Sequence, residues 1–265
     1  MKFEEDALKA LQSARETYRI TNEAWASKSG QIWFKSLNLG SECRLPGIEN
    51  CLAKPTRAQL FALVRDHSVA TSTLCAVILA WGGMRTNNGQ KIFQALDNWR
   101  HEADKIRNGN VSRLEAYDIF SQLRLKEYLP GMAPAYFTKL IFFLRGADVA
   151  DTGYIMDQWA GCSVNILTGN PCAVLMNATY TWKVPKKGPK KLAADFQVSE
   201  HNTAEDYERF CRVVDEIAVI TKLPPHDAEL LLMSEGKGKG AWRKYVVDNR
   251  RLPATIPLFV KSESR

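Results

Sequence analysis

No Cys-x-x-Cys pair occurs in this 265-residue chain, and its six cysteines (Cys43, Cys51, Cys75, Cys162, Cys172 and Cys211) are scattered beside only four histidines. That spacing excludes a zinc ribbon or a cysteine-held iron–sulfur cluster and leaves reduced, mostly buried thiols, so neither a metal nor another cofactor is expected. No apolar run approaches the roughly 20 residues needed to cross a bilayer. The N-terminus, Met1-Lys2-Phe3-Glu4-Glu5-Asp6, is acidic and has no hydrophobic signal region. A cytoplasmic protein with no membrane partner is therefore expected. The run Gly236-Lys-Gly-Lys-Gly240 lacks the spaced glycines and trailing Lys-Ser/Thr of a phosphate-binding P-loop, and is a flexible basic loop instead.

What is present suits a folded enzyme or binding domain. With 45% hydrophobic and 25% charged residues, the chain can bury a sizeable core, as one two-lobed domain or two small ones. Lys and Arg total 36 against 29 Asp and Glu, a balance of +7 that fits a nucleic-acid binder and also many proteins that bind none.

Helical periodicity dominates. Phe3, Ala7, Leu8, Leu11, Ala14 and Tyr18 recur at helical spacing, so the first two dozen residues predict an amphipathic helix. Residues 27–55, rich in Ser, Gly and Asn, predict irregular structure with a short strand or two. Thr56 with Gln59 forms a capping box for a helix that turns Leu60, Leu63, Val64 and His67 inward, His67 as a packed or surface histidine and not a catalytic one. Leu74 to Trp81 is a fully apolar helix broken at Gly82-Gly83; the chain then runs through Met84-Arg85-Thr86-Asn87-Asn88-Gly89-Gln90 before helix resumes at Lys91. Asn98 to Asn110 is charged and ends in a loop. Met176 to Trp182 fits either an extended piece or a short helix. Thr203-Ala-Glu-Asp opens a long helix, Leu223-Pro224-Pro225 starts a shorter one, and Trp242 to Arg265 is expected to be a peripheral tail. The predicted class is mainly α with few or no strands, which only residues 27–55 and 172–198 could supply.

The stretch that organises the chain is Tyr128-Leu129-Pro130-Gly131-Met132-Ala133-Pro134, followed by the apolar run Tyr136 to Leu144 and then by Tyr154-Ile155-Met156-Asp157-Gln158-Trp159. Residues 112–126 form a helix, Leu-Pro-Gly closes it with a tight turn, and Pro134 opens a buried one. The turn at Leu129, Gly131, Met132 and Ala133 aims free backbone amides outward, and the positive end of the second helix reinforces them as a docking point for phosphate. Asp157, among Ile155, Met156 and Trp159, is a partly desolvated carboxylate suited to chemistry.

This pattern resembles the helix–hairpin–helix DNA glycosylase superfamily, in its 8-oxoguanine branch. The hairpin of that superfamily is Leu-Pro-Gly-Val-Gly, and its catalytic aspartate follows some two dozen residues later. Leu129, Pro130 and Gly131 match, Met132 takes the valine's place, and Ala133 replaces the second glycine. The resemblance covers roughly half the chain: the hairpin motif over 112–145, a catalytic loop over 146–160, an Asn-rich turn and the closing helices. It implies one two-lobed catalytic domain over 1–265, double-stranded DNA as partner, a monovalent cation at the hairpin as a further option, and a monomer. Asn87 or Asn88 would fill the hole left by the extruded nucleotide, with Arg85 or Gln90 reaching the orphaned base; an Asn-Asn-Gly turn is equally what an ordinary interhelical loop uses.

The implied chemistry is base flipping followed by cleavage of the N-glycosidic bond, with Asp157 stabilising the cationic sugar and orienting water. Strand-cutting members carry a lysine at the start of the helix after the hairpin. Ala135 stands at that position here, and Lys139 lies one turn further on, so the expectation is a monofunctional glycosylase with Lys139 as a second catalytic candidate. The basic run 183–191, with Lys186 and Lys187, is expected to be a mobile loop that is either a solvated linker or a phosphate contact. Trp25, Trp33, Trp81, Tyr136 and Trp159 are core residues or stacking surfaces for the base. The substrate would be a damaged base such as 8-oxoguanine or, because the superfamily also serves in bacterial antiviral systems, a hypermodified phage base. The rival reading is a non-catalytic helix–hairpin–helix DNA-binding module; an interaction protein that binds no nucleic acid ranks third.

Overall fold

The computed structural model describes residues 2–17, 29–39, 45–48, 54–109, 111–146, 151–183, 188–189, 191–233 and 240–251. Among them are α1 (Glu5–Thr17), α2 (Gly30–Lys35), α3 (Arg57–Arg65), α4 (Thr71–Trp81), α5 (Thr86–Gln94) and α6 (Arg100–Arg107). The chain continues with α7 (Arg113–Leu125), α8 (Pro134–Arg145), α9 (Gln158–Thr168), β1 (Met176–Lys183), β2 (Lys191–Val198), α10 (Ala204–Thr221), α11 (Pro225–Leu232) and α12 (Ala241–Asn249). The protein is mainly helical, as its periodicity predicts. None of the described helices is long and apolar enough to cross a membrane.

Local chemistry sets the ends of the helices around the site. Ser112 and Glu115 form a reciprocal capping box on α7, as Thr56 and Gln59 do on α3 and Thr203 and Asp206 on α10. Pro134 occupies the first turn of α8, where its missing N–H costs nothing, and Gly146 ends that helix at φ 80°. All of α4 is buried, and α8 is buried from Phe137 to Leu144 against α3, α4, α6 and α7. Phe61, Trp81, Phe142 and Phe143 meet there, mostly edge to face, at centroid separations of 4.9–5.2 Å. Burial of each such ring contributes roughly 1.5–3 kcal/mol, which fixes α8 as the central strut. Cys75, Cys162 and Cys211 are buried free thiols, and burial pushes the Cys162 thiol up to about 12.

Several expectations are corrected. Among the described residues, 27–55 holds no strand but the short helix α2, capped by Ser29, with Trp33 buried and its indole N–H donating to the Met84 carbonyl at 2.9 Å. The small polar residues there cap and flank a helix. The charged stretch after Asn98 is α6, whose Ala103 and Ile106 face the core. The C-terminal segment is no tail over 241–249: Trp242 is 1% exposed and donates to Ser163 Oγ at 2.9 Å. The segment left open at Met176 is β1, paired antiparallel with β2 from Met176↔Val198 to Lys183↔Lys191. Residues 18–28, 147–150, 184–187 and 252–265 lie outside the described residues, so Trp25, Lys186 and Lys187 carry no structural statement.

Arg113 ties the start of α7 to α10. It is buried, donates to Glu208 at 2.7 Å and to Asp215 at 3.0 Å, and reaches the Thr152 carbonyl at 3.1 Å. Hydrogen bonding from Arg113 holds the Glu208 carboxyl below its usual range. A depressed carboxylate contributes stability above its unfolded pKa, and that stability is lost as pH falls through the folded value. Arg113→Met should lower stability at neutral pH by about 3 kcal/mol in urea titration and should remove this acid-sensitive part.

Candidate active site

A cavity of about 420 Å³ opens between the N-terminal ends of α8 and α9 and the β1–β2 hairpin. Part of its wall is the carboxylate on which α9 starts. Asp157 is the N-cap of α9, in extended backbone, and its Oδ1 accepts the amides of Trp159 at 2.8 Å and Ala160 at 3.0 Å. These two bonds satisfy amides that a helix start leaves bare, and they hold one oxygen still. The other, Oδ2, has no hydrogen bond among the described residues and belongs to a half-buried side chain on the cavity wall. Thr138 sets the approach to this cap. Its hydroxyl donates to the Pro134 carbonyl at 2.7 Å and accepts the Met156 amide at 3.1 Å, so the residue before Asp157 is pinned to α8.

Lys139 follows Thr138 and lines the same cavity. Its side chain is 7% exposed, its ammonium donates to the Ala135 carbonyl, and Nζ lies 5.3 Å from the Tyr136 ring centroid. Burial pushes this lysine below its ordinary value, against the opposing pull of the Asp157 and Glu229 carboxylates. The stem fits only because residue 82 is glycine, since a Cβ there would come within 2.6 Å of Lys139 Cδ. Beneath lies a pair invisible to sequence spacing. Glu229 of α11 is fully buried, and its Oε2 accepts from Arg57 Nη1 at 2.5 Å. Its Oε1 has no partner among the described residues, and burial raises its pKa. No local signal could have linked position 229 to position 139.

The turn between α7 and α8 falls where expected, but of the amides expected to be free that of Met132 donates to the Leu129 carbonyl at 3.3 Å. Gly131 is exposed at φ 79°, where only glycine is unstrained, and the amides of Gly131 and Ala133 carry no hydrogen bond among the described residues. Leu129 and Met132 have buried side chains and anchor the turn from below. Asn88 braces it, donating to the Gly131 carbonyl at 3.3 Å.

The Asn-rich turn is displaced from its expected place. The bend is Gly82 to Arg85, and Asn87, Asn88 and Gln90 lie inside α5. Gly89, a turn former by residue type, sits in the helix with the Trp33 ring packed against it, where a Cβ would approach to 2.4 Å. Arg85 and Asn88 line the cavity; Asn87 and Gln90 do not. Of the aromatic candidates among the described residues, only Tyr136 reaches it. Trp33 and Trp81 are core, and Trp159 is covered by the Arg243 guanidinium 3.6 Å from its ring. The opposite wall, from Asn177, Asp195 and Gln197 of the hairpin, was missed; alternating polar residues in both strands are its trace in the sequence.

A lysine whose folded pKa is depressed makes stability rise with pH, because the unfolded chain holds its proton longer. Lys139→Met should therefore leave stability at neutral pH within about 1 kcal/mol of the parent or above it, and should flatten its rise toward the ordinary lysine range. A loss of several kcal/mol would mark Lys139 as a structural ion-pair member instead.

Neither the curated proteins nor the solved structures include a match to this chain. A family model does match, over residues 12–233, a span that holds the hairpin turn, Lys139, Asp157, both strands and Glu229 and stops before α12. The chain belongs to the family described as "Putative 8-oxoguanine DNA glycosylase OGG-like protein".

Proposed function

We propose that this protein binds double-stranded DNA through the α7–α8 turn, draws a damaged or modified nucleobase into the cavity and hydrolyses its N-glycosidic bond, leaving an abasic site. The observation that carries this reading is the half-free carboxylate of Asp157, fixed at a helix start beside the cavity. A phosphate would take the bare amides at Gly131 and Ala133, where the start of α8 adds its positive dipole, and a monovalent cation could bridge the same turn. The cavity lies within the volume range of small-ligand sites and suits a single base, with Tyr136 beside it. As the bond to the base breaks, its electron pair leaves with the base and positive charge develops on the sugar. Asp157 Oδ2 faces that charge and takes the proton of the water that attacks C1′.

The placement of Lys139 supports a second reading. A desolvated amine on the cavity wall could displace the base at C1′ itself and form an imine that ends in strand cleavage, although it stands one helical turn beyond Ala135. Only the neutral amine attacks, so this activity would rise with pH and level off below the ordinary lysine range.

The substrate class spans oxidised or alkylated bases, 8-oxoguanine among them, and the modified cytosines of phage DNA, the latter implying antiviral defence. Purified protein incubated with such duplexes and phage DNAs should release a free base, detected by mass spectrometry, and Asp157→Asn should slow release by about 10²–10³-fold. Borohydride should trap a protein–DNA adduct only if the lysine route operates, and Lys139→Met should then abolish it. DNA binding with no base released from any substrate would leave a docking module.

A further inference from the structure

We infer that the start of α4 is a second ligand site, one that takes a phosphate group in a hollow separate from the proposed base cavity. Three observations converge on it, and none of them depends on what the cavity does.

The first is a helix start without a cap. Ala70 stands at the N-cap of α4 in extended backbone and has no side-chain acceptor to offer, where α3, α7 and α10 have Thr56, Ser112 and Thr203. The amides of Thr71, Ser72 and Thr73 carry no hydrogen bond among the described residues. On an exposed helix water would serve them, but these three residues are 7%, 8% and 0% exposed. Bare amides withdrawn from water need an acceptor.

The second is a hydroxyl with the same need. Ser72 is more than nine-tenths buried, its Oγ has no partner among the described residues, and it lines a hollow of about 530 Å³ at this end of α4. Thr71, beside it on the wall, accepts from Arg107 Nη1 at 3.3 Å, which leaves its own proton to give. Thr73, by contrast, is spent on the Pro46 carbonyl at 2.9 Å.

The third is a positive charge held ready. Arg107 directs its guanidinium at neutral oxygens, the carbonyls of Val64, Asp66 and Val69 at 2.6–3.0 Å and the Thr71 hydroxyl. These bonds clamp the loop from α3 to α4, so the bare amides are in place before a ligand arrives. They also leave the Arg107 charge beside the positive end of α4, with Arg100 on the same wall. The carboxylate of Asp104 borders the hollow too, but it makes no ion pair with Arg107 and faces two arginines and a helix start.

The amides and guanidinium groups can only donate, and both hydroxyls have a proton to give. The ligand must therefore accept from several sides and carry negative charge, which a phosphate group does. The eleven residues of α4 put this site about 16 Å from the end that reaches Gly82 and Arg85 at the base cavity.

Binding can be read without any catalysis. Inorganic phosphate titrated into the isotope-labelled full chain at constant ionic strength should move the amide resonances of Ser72 and Thr73 to saturation, and chloride should not. Ser72→Ala removes one donor to a charged acceptor and should weaken binding about tenfold. Ala70→Asp supplies the missing cap. It should raise the melting temperature in phosphate-free buffer by about 2–4 °C and abolish the phosphate response, because its carboxylate takes the amides and repels the anion. A titration with a short duplex identifies the source of the phosphate. If the duplex moves the same resonances, the site takes a backbone phosphate of bound DNA; if they stay put and still answer to phosphate, it takes a free phosphate compound. Resonances that drift without saturating, or a phosphate response undiminished by Ala70→Asp, would refute the site. A stabilising Ala70→Asp beside a parent indifferent to phosphate would leave only an uncapped helix.

Discussion

Everything in the cavity depends on one carboxylate doing two jobs. A helix beginning at Gln158 needs an acceptor for its first amides, and Asp157 supplies it with Oδ1 alone. Thr138 then fixes the cap relative to α8, because its hydroxyl takes the amide of Met156. Two helices are thus locked together at the point where an acid and a base face a common space. The lock is made of backbone groups and one hydroxyl, so little can relax when the outer environment changes.

Charge is distributed with the same economy. Arg57 and Glu229 are taken out of water as a pair beneath the cavity, and Lys139, on its wall, feels the pull of the Glu229 carboxylate and the repulsion of Arg57. The Arg57 guanidinium also lies over the rings of Trp81 and Phe142, which tolerate a weakly hydrated cation better than they would an ammonium. Such a group is weak evidence for stability, since apolar residues of the same size would hold the fold as well. Arg113, by contrast, joins α7 to α10 far from the cavity wall and is structural.

Helices with strong periodicity and local caps were legible in the sequence: α3 by its capping box, α7 and α10 by the helical runs that follow Ser112 and Thr203, and α8 by Pro134 and its apolar run. The hairpin turn and Asp157 were found because both sit in a short contiguous pattern. What escaped depends on contacts distant in sequence. Gly89 suggests a turn until Trp33 is seen against it, and Trp242 suggests a tail until Ser163 is found beneath it. Glu229 joins the cavity only through the packing of α11, and the strands emerge only when residues 176–183 and 191–198 are paired. The family match ends at residue 233, before α12, whose Arg243 covers Trp159.

The central claim is that Asp157 faces positive charge forming on a sugar, and transition-state mimicry tests it most directly. Two duplexes would be compared, one carrying a cationic pyrrolidine in place of the target sugar and one carrying its neutral tetrahydrofuran counterpart. The protein should prefer the cationic site by about 100-fold, the low end of what transition-state analogues gain, and Asp157→Asn should lose most of that preference while still binding the neutral duplex. Equal affinity of the parent for both sugars, or a preference that survives the substitution, would contradict the account.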